Sequence, residues 1–163
     1  MEGMISFQTP DEYRIEVFSG GDLMVQHLCD ALNKSHFDGK LPSIMACAAQ
    51  SIKHPEAKPI QAVTFRVSDV PELRGMQDEW LICIDQRFCE FPFLVQLLLH
   101  EMTHVLLPDE DPFHSRKFWH TLREKWLIDF GLVAGAGLNA DEKQDEIVKK
   151  ILAGQGVSEM LGL

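Results

Sequence analysis

The sequence predicts an α+β fold, on three observations. Three β-prone stretches, Ser43–Gln50, Gln61–Ser68 and Trp80–Asp85, come in succession. A strongly apolar segment bounded by prolines, Phe91–Pro108, follows them and reads as a buried helix, with another helix near 113–130. A further helical stretch, 22–37, precedes the strands, so the strands come in a run flanked by helices rather than alternating with them one by one. At 163 residues the chain is the size of one domain with a real core.

Taken in order, residues 1–10 read as a flexible lead-in. Residues 22–37 read as a helix that Asp22 can cap, with an apolar stripe of Leu23, His27, Leu28, Ala31 and Leu32. His27 and His36 read as ordinary helix residues rather than ligands. Phe37-Asp38-Gly39-Lys40-Leu41-Pro42 is a turn centred on Asp-Gly. The Ser43–Gln50 stretch is apolar, Gln61–Ser68 alternates in part, and Trp80–Asp85 is rich in β-formers. The loops between carry Pro55, Pro59, Pro71 and Gly75, and Lys53, His54 and Lys58 form a small solvated basic spot.

After Pro108 an acidic turn, Asp109-Glu110-Asp111-Pro112, leads into the 113–130 helix. Its broad apolar face comprises Phe118, Trp119, Leu122, Trp126, Leu127 and Phe130. Gly131–Gly137 is a breaker that lacks the GxGxxG spacing of a phosphate loop. Asn139–Leu152 reads as a charged amphipathic helix, acidic at its start and basic at its end. The organisation expected is a lead-in over 1–10, a domain over 11–135, and a C-terminal helix and tail over 136–163, in the same domain or appended.

Composition excludes several classes. The formal charge of −10 opposes intrinsic affinity for nucleic acid, which needs clustered Lys and Arg. No apolar run is long enough to span a bilayer. The first residues carry neither a basic region nor an apolar core of the secretory kind, so a cytoplasmic location is expected. Cys29, Cys47, Cys83 and Cys89 form no CxxC pair and read as small buried hydrophobes in a reducing compartment.

The chemistry is concentrated in His100-Glu101-Met102-Thr103-His104, an HExxH. Histidines four apart share one face of a helix and can bind one zinc ion at about 2.0–2.1 Å. The intervening carboxylate, Glu101, then serves as base for a water that the ion activates. With this His and Glu content the pentapeptide arises by chance only roughly 0.02 times per chain. The competing reading is two core histidines bonded to carbonyls. In it Glu101 is paired to a base, whereas a metal site accounts for two histidines and a carboxylate buried together.

A catalytic zinc needs a third protein ligand. His114, His120 and Glu124 are the candidates. His114 and His120 point about 120° apart around one helix, so they do not face one metal together. His114 is preferred: the acidic turn reverses the chain, and a helix start can aim a side chain back at the first helix. Glu124 follows His104 by twenty residues, as in thermolysin-type enzymes, and His120 reads as a surface histidine.

Three segments carry a family resemblance. Ala31-Leu-Asn-Lys-Ser-His-Phe-Asp-Gly-Lys-Leu-Pro42 is similar to the N-x-x-x-F-x-G-x-L-P segment of the SprT-like metallopeptidases, the family that includes Spartan. Leu98–His104 resembles their Leu-Leu-His-Glu-Met-x-His helix. His114-Ser115-Arg116-Lys117-Phe118 looks like the His-Gly-Lys-Glu-Phe segment that supplies their third zinc histidine. The likeness covers about residues 22–130. Ser115 stands where the family has glycine, and no C-terminal zinc ribbon follows.

The resemblance implies a zincin-like, minigluzincin-type domain: a small, mostly antiparallel sheet packed on a zinc helix and further helices. It implies a zinc metallopeptidase acting on protein or peptide substrates, with His100, His104 and His114 as ligands and Glu101 as base. It also implies that Trp80–Asp85 lies at the sheet edge, where an extended peptide can dock. Arg87 and Arg116 are candidate oxyanion donors, though surface charge accounts for both. Phe88, Phe91 and Phe93 read as core more readily than as cleft lining. Two other readings stay open: a repressor-cleaving protease of the ImmA type, and a zinc-stabilised interaction module without catalysis.

Overall fold

The computed structural model describes residues 4–18, 23–56, 60–90, 93–112 and 114–130. Over these the fold is α+β: a five-stranded mixed sheet and three helices. The strands are β1 (Met4–Gln8), β2 (Arg14–Phe18), β3 (Ile44–Lys53), β4 (Ala62–Arg66) and β5 (Trp80–Asp85), in spatial order β1-β2-β3-β5-β4. The helices are α1 (Met24–His36), α2 (Phe93–Leu106) and α3 (Arg116–Phe130). The β3–β5 pair is parallel and the other pairs are antiparallel.

Met4–Gln8 falls within the segment expected as a lead-in, but it forms an antiparallel hairpin with Arg14–Phe18. The second strand did carry a signal. Arg14-Ile15-Glu16-Val17 alternates polar and apolar, with Ile15 fully buried. The Thr9–Tyr13 turn is closed by Thr9 N–H donating to the Tyr13 carbonyl at 2.9 Å, and Glu12 adopts φ +68° there.

Helix α1 is rotated relative to the expected stripe. Val25, Leu28, Cys29, Leu32 and His36 are buried, whereas Leu23 is 66% exposed and His27 is exposed. The positions i, i+3, i+4, i+7 and i+11 from Val25 define the buried face. The turn after α1 is as expected: Asp38 and Gly39 both take positive φ, and Gly39 N–H donates to the Asn33 carbonyl.

Alternation along β5 divides the interior into two cores. Trp80, Ile82 and Ile84 face the helices and pack with Leu94, Leu98, Met102 and Phe118. Leu81 and Cys83 face the other way, with Phe7, Ile15, Val63 and Phe65. Phe7 of β1 and Phe65 of β4 stand at opposite edges of the sheet, yet their ring centroids are 5.6 Å apart. The sheet therefore curls around its second core and brings the β1–β2 turn beside β4.

Trp80–Asp85 is thus not an edge strand. It lies between β3 and β4, fully buried along its length. The reason is composition: a strand apolar on both faces is stable only with cover on both faces. The edge beside α2 belongs to β4. Among the described residues no helix is long and apolar enough to cross a membrane. Asp22, Lys58, Pro59, Phe91, Pro92, the Gly131–Gly137 breaker, the Asn139–Leu152 helix and the tail lie outside the described residues, as do the side chains of Trp126, Leu127 and Phe130.

Candidate metal centre and cleft

Helix α2 holds the HExxH with its two sides in different surroundings. Leu94, Val95, Leu98, Leu99, Met102 and Val105 anchor it in the core. His100 and His104, one turn apart, look out half-buried along one side. Glu101 is turned toward β4 and is buried. The helix ends at Leu106, two residues before Pro108.

His114 stands just before α3 and reaches back to α2. Its Nε2 lies 3.1 Å from His100 Nε2 and 3.1 Å from His104 Nε2. The start of α3 is fixed by Ser115, whose hydroxyl donates to Glu110 at 2.7 Å and accepts from the Phe118 N–H at 3.1 Å. The acidic turn thus sets the position of the histidine that follows it.

One ligand atom from each of His100, His104 and His114 lies within 4.8 Å of the others. This donor set can hold a metal ion. Tetrahedral ligands at about 2.05 Å from zinc are separated by about 3.3 Å, close to the spacing found. Burial lowers His100 to a pKa of about 4 and His104 to about 3, with the neighbouring histidines adding to the shift. Both are therefore neutral near pH 7, the form that binds metal. A single hydrogen on His114 Nε2 cannot point at both neighbours, whereas one cation can receive all three lone pairs.

Aromatic side chains fix the cluster from behind. Phe118 is fully buried and stacks on His104 with ring centroids 4.3 Å apart and an interplanar angle of 25°. Its centroid is also 5.0 Å from that of His100. Trp119 lies 5.3 Å from His114 and remains 40% exposed.

The other candidate ligands are elsewhere. His120 Nε2 is 3.2 Å from Glu124 Oε1, an exposed i,i+4 pair on α3. Neither residue belongs to the histidine group. Arg87 is committed to Asp85, donating from Nε and a terminal nitrogen to its two carboxylate oxygens, each at 3.0 Å. Arg116 is exposed, Phe88 packs against the helix-side core, and Phe93 is 54% exposed.

Thr64 of β4 was not foreseen. Its hydroxyl donates to Glu101 Oε2. Burial raises the Glu101 pKa to about 7, and the Thr64 hydrogen bond acts in the opposite direction. Nothing in the sequence marks Thr64, since a threonine inside a strand is ordinary. Only the packing of α2 against β4 pairs the two.

A cleft of about 670 Å³ opens over these groups. His100, Glu101, His104 and His114 line one side, β4 lines its floor, and Thr9, Pro10, Asp11 and Tyr13 of the β1–β2 turn lie along it as well. At one end Arg66 lies over the Trp80 ring, 4.5 Å from its centroid. No family model, curated protein or solved structure matches this chain.

Proposed function

We propose that the protein is a zinc-dependent metallopeptidase that hydrolyses peptide bonds in protein substrates. The observation that carries the reading is that Glu101, a buried carboxylate with a pKa of about 7, opens onto the same cleft as the three converging histidines. Among the described residues the group offers three ligands. Three suit an open catalytic site, whereas a structural zinc takes four.

His100, His104 and His114 would hold the ion, which when bound supplies Lewis acidity toward water and the scissile carbonyl. Glu101 accepts the proton of the attacking water and delivers it to the leaving amine. A base poised near neutral pH is suited to both transfers. Thr64 fixes one oxygen of that carboxylate. The outer edge of β4 has no strand partner among the described residues, so an extended peptide can add there by backbone hydrogen bonds. The β1–β2 turn would flank such a peptide. The resemblance of residues 22–130 to SprT-like metallopeptidases supports the same reading.

The deciding experiment is Glu101→Gln. The variant is expected to retain metal and fold while losing peptidase activity by at least about 100-fold, the lower range for a general base. Full hydrolysis by this variant would remove Glu101 as the base. Absence of any metal-dependent peptidase activity in the wild type, with three histidine ligands occupied, would favour the non-catalytic module.

A further inference from the structure

A second group of reactive side chains lies in the other core, on the sheet face turned away from the helices. Cys47 of β3 and Cys83 of β5 are direct partners across the parallel pair. Adjacent strands lie about 4.8 Å apart, and disulfide-bonded cysteines have Cα separations of about 4.4–6.8 Å. The pleat turns both side chains to one face, and their Sγ atoms are 3.6 Å apart. Both thiols are free. Small side-chain rotations can close that gap to the bonded distance of about 2.05 Å.

The two thiols are not equivalent. Cys83 is fully buried and Cys47 only half-buried. The hydrogen bond between them holds Cys47 below the ordinary thiol range and, together with burial, pushes Cys83 well above it. The remaining cysteines are placed differently. Burial pushes Cys29 up to about 12. Cys89 directs its thiol at the Ile84 and Asp85 carbonyl oxygens, at 3.7 and 3.6 Å.

We propose that Cys47 and Cys83 form a reversible dithiol–disulfide site that reacts with small disulfides such as oxidised glutathione, Cys47 attacking and Cys83 resolving. The Cys47 thiolate attacks one reagent sulfur, the reagent S–S bond breaks, and one glutathione thiolate leaves with the electron pair. The Cys83 thiolate then attacks Cys47 Sγ and expels the second glutathione thiolate. The protons of the two cysteine thiols end on the two glutathiones. The cysteine pair is oxidised by two electrons and the reagent is reduced by two. The new bond would lock β3 to β5, the central strands of the sheet. The site stands independently of the histidine cluster and of the reaction assigned to it.

The test uses the full chain, reduced and then exposed under native conditions to oxidised glutathione, with acid quench, alkylation and peptide mapping. The expected result is loss of two of the four cysteine thiols, a linked Cys47–Cys83 peptide, and full recovery with dithiothreitol. Cys83→Ser should stop at a stable glutathione adduct on Cys47, and Cys47→Ser should give neither adduct nor link. Retention of every thiol, a persistent adduct on wild-type Cys47, or oxidation at Cys29 or Cys89 instead would overturn the proposal. If a serine variant fails to fold, the wild-type map decides alone.

Discussion

The Thr64 hydroxyl, on the open strand of the sheet, donates its hydrogen to Glu101, the carboxylate of the HExxH. One side chain thus joins the strand proposed to receive a peptide to the group proposed to act on it. The hydrogen bond favours the ionised form of Glu101, while burial opposes it and raises the pKa to about 7.

Thr64→Val keeps the shape and removes the donor. Glu101 loses a contact that lowers its pKa, so the acid limb of kcat/KM should move to higher pH, and activity at pH 7 should fall about 10-fold. In the wild type, activity should decline as pH falls through about 7, because protonated Glu101 cannot act as base. Thr64→Ser should restore the profile. A pH series on a peptide substrate checks this, and an unmoved acid limb in the valine variant would separate Thr64 from the base.

His114→Ala should weaken metal binding by at least about 10-fold, since it removes one of three converging nitrogens. His120→Ala should leave metal content unchanged, because His120 is paired with Glu124 at the surface. Elemental analysis of the purified variants distinguishes them. The reverse pattern would move the third ligand to His120.

Phe118→Ala should destabilise the fold by about 3–5 kcal/mol, the range for truncating a fully buried phenylalanine. The same change removes the ring stacked on His104, so metal affinity should drop along with stability. Urea denaturation with and without added zinc measures both. Loss of stability without any loss of metal affinity would show that the stacking does not orient His104.

His36 is buried at the end of α1, with Nδ1 2.6 Å from the Ser35 hydroxyl. Burial, helped by the Lys125 charge, lowers its pKa from 6.5 to about 4. Between those values the unfolded chain binds a proton that the folded chain refuses. Stability contributed by neutral His36 is therefore complete above about pH 6.5 and falls as pH drops toward 4, by on the order of 2 kcal/mol. His36→Gln should flatten that slope. Denaturation midpoints across pH 4–7 provide the measurement, and an equal slope in both proteins would exclude His36 as its source.

Local pattern made several parts legible before any coordinates. The apolar run ahead of Pro108 marked α2, and Asp38-Gly39 marked the turn after α1. Spacing alone put His100 and His104 on one face, because helical periodicity is a property of the chain itself. His114 was legible only as one of three candidates, since its approach to α2 depends on how the acidic turn folds. The hairpin at Met4–Phe18 went unread although Arg14–Val17 alternates, because so short a strand is recognised mainly by its partner.

The sequence by itself determined the α+β class, the pair of histidines on one helix face, the identity of the carboxylate between them, and an acidic chain. Tertiary structure alone decided which strand is the edge, that Thr64 meets Glu101, that the β1–β2 turn borders the cleft, and that Cys47 faces Cys83. The physical reason is separation along the chain. Residues within one or two turns are positioned by local geometry, whereas β4 and α2, or Phe7 and Phe65, meet only when distant segments bury apolar surface together.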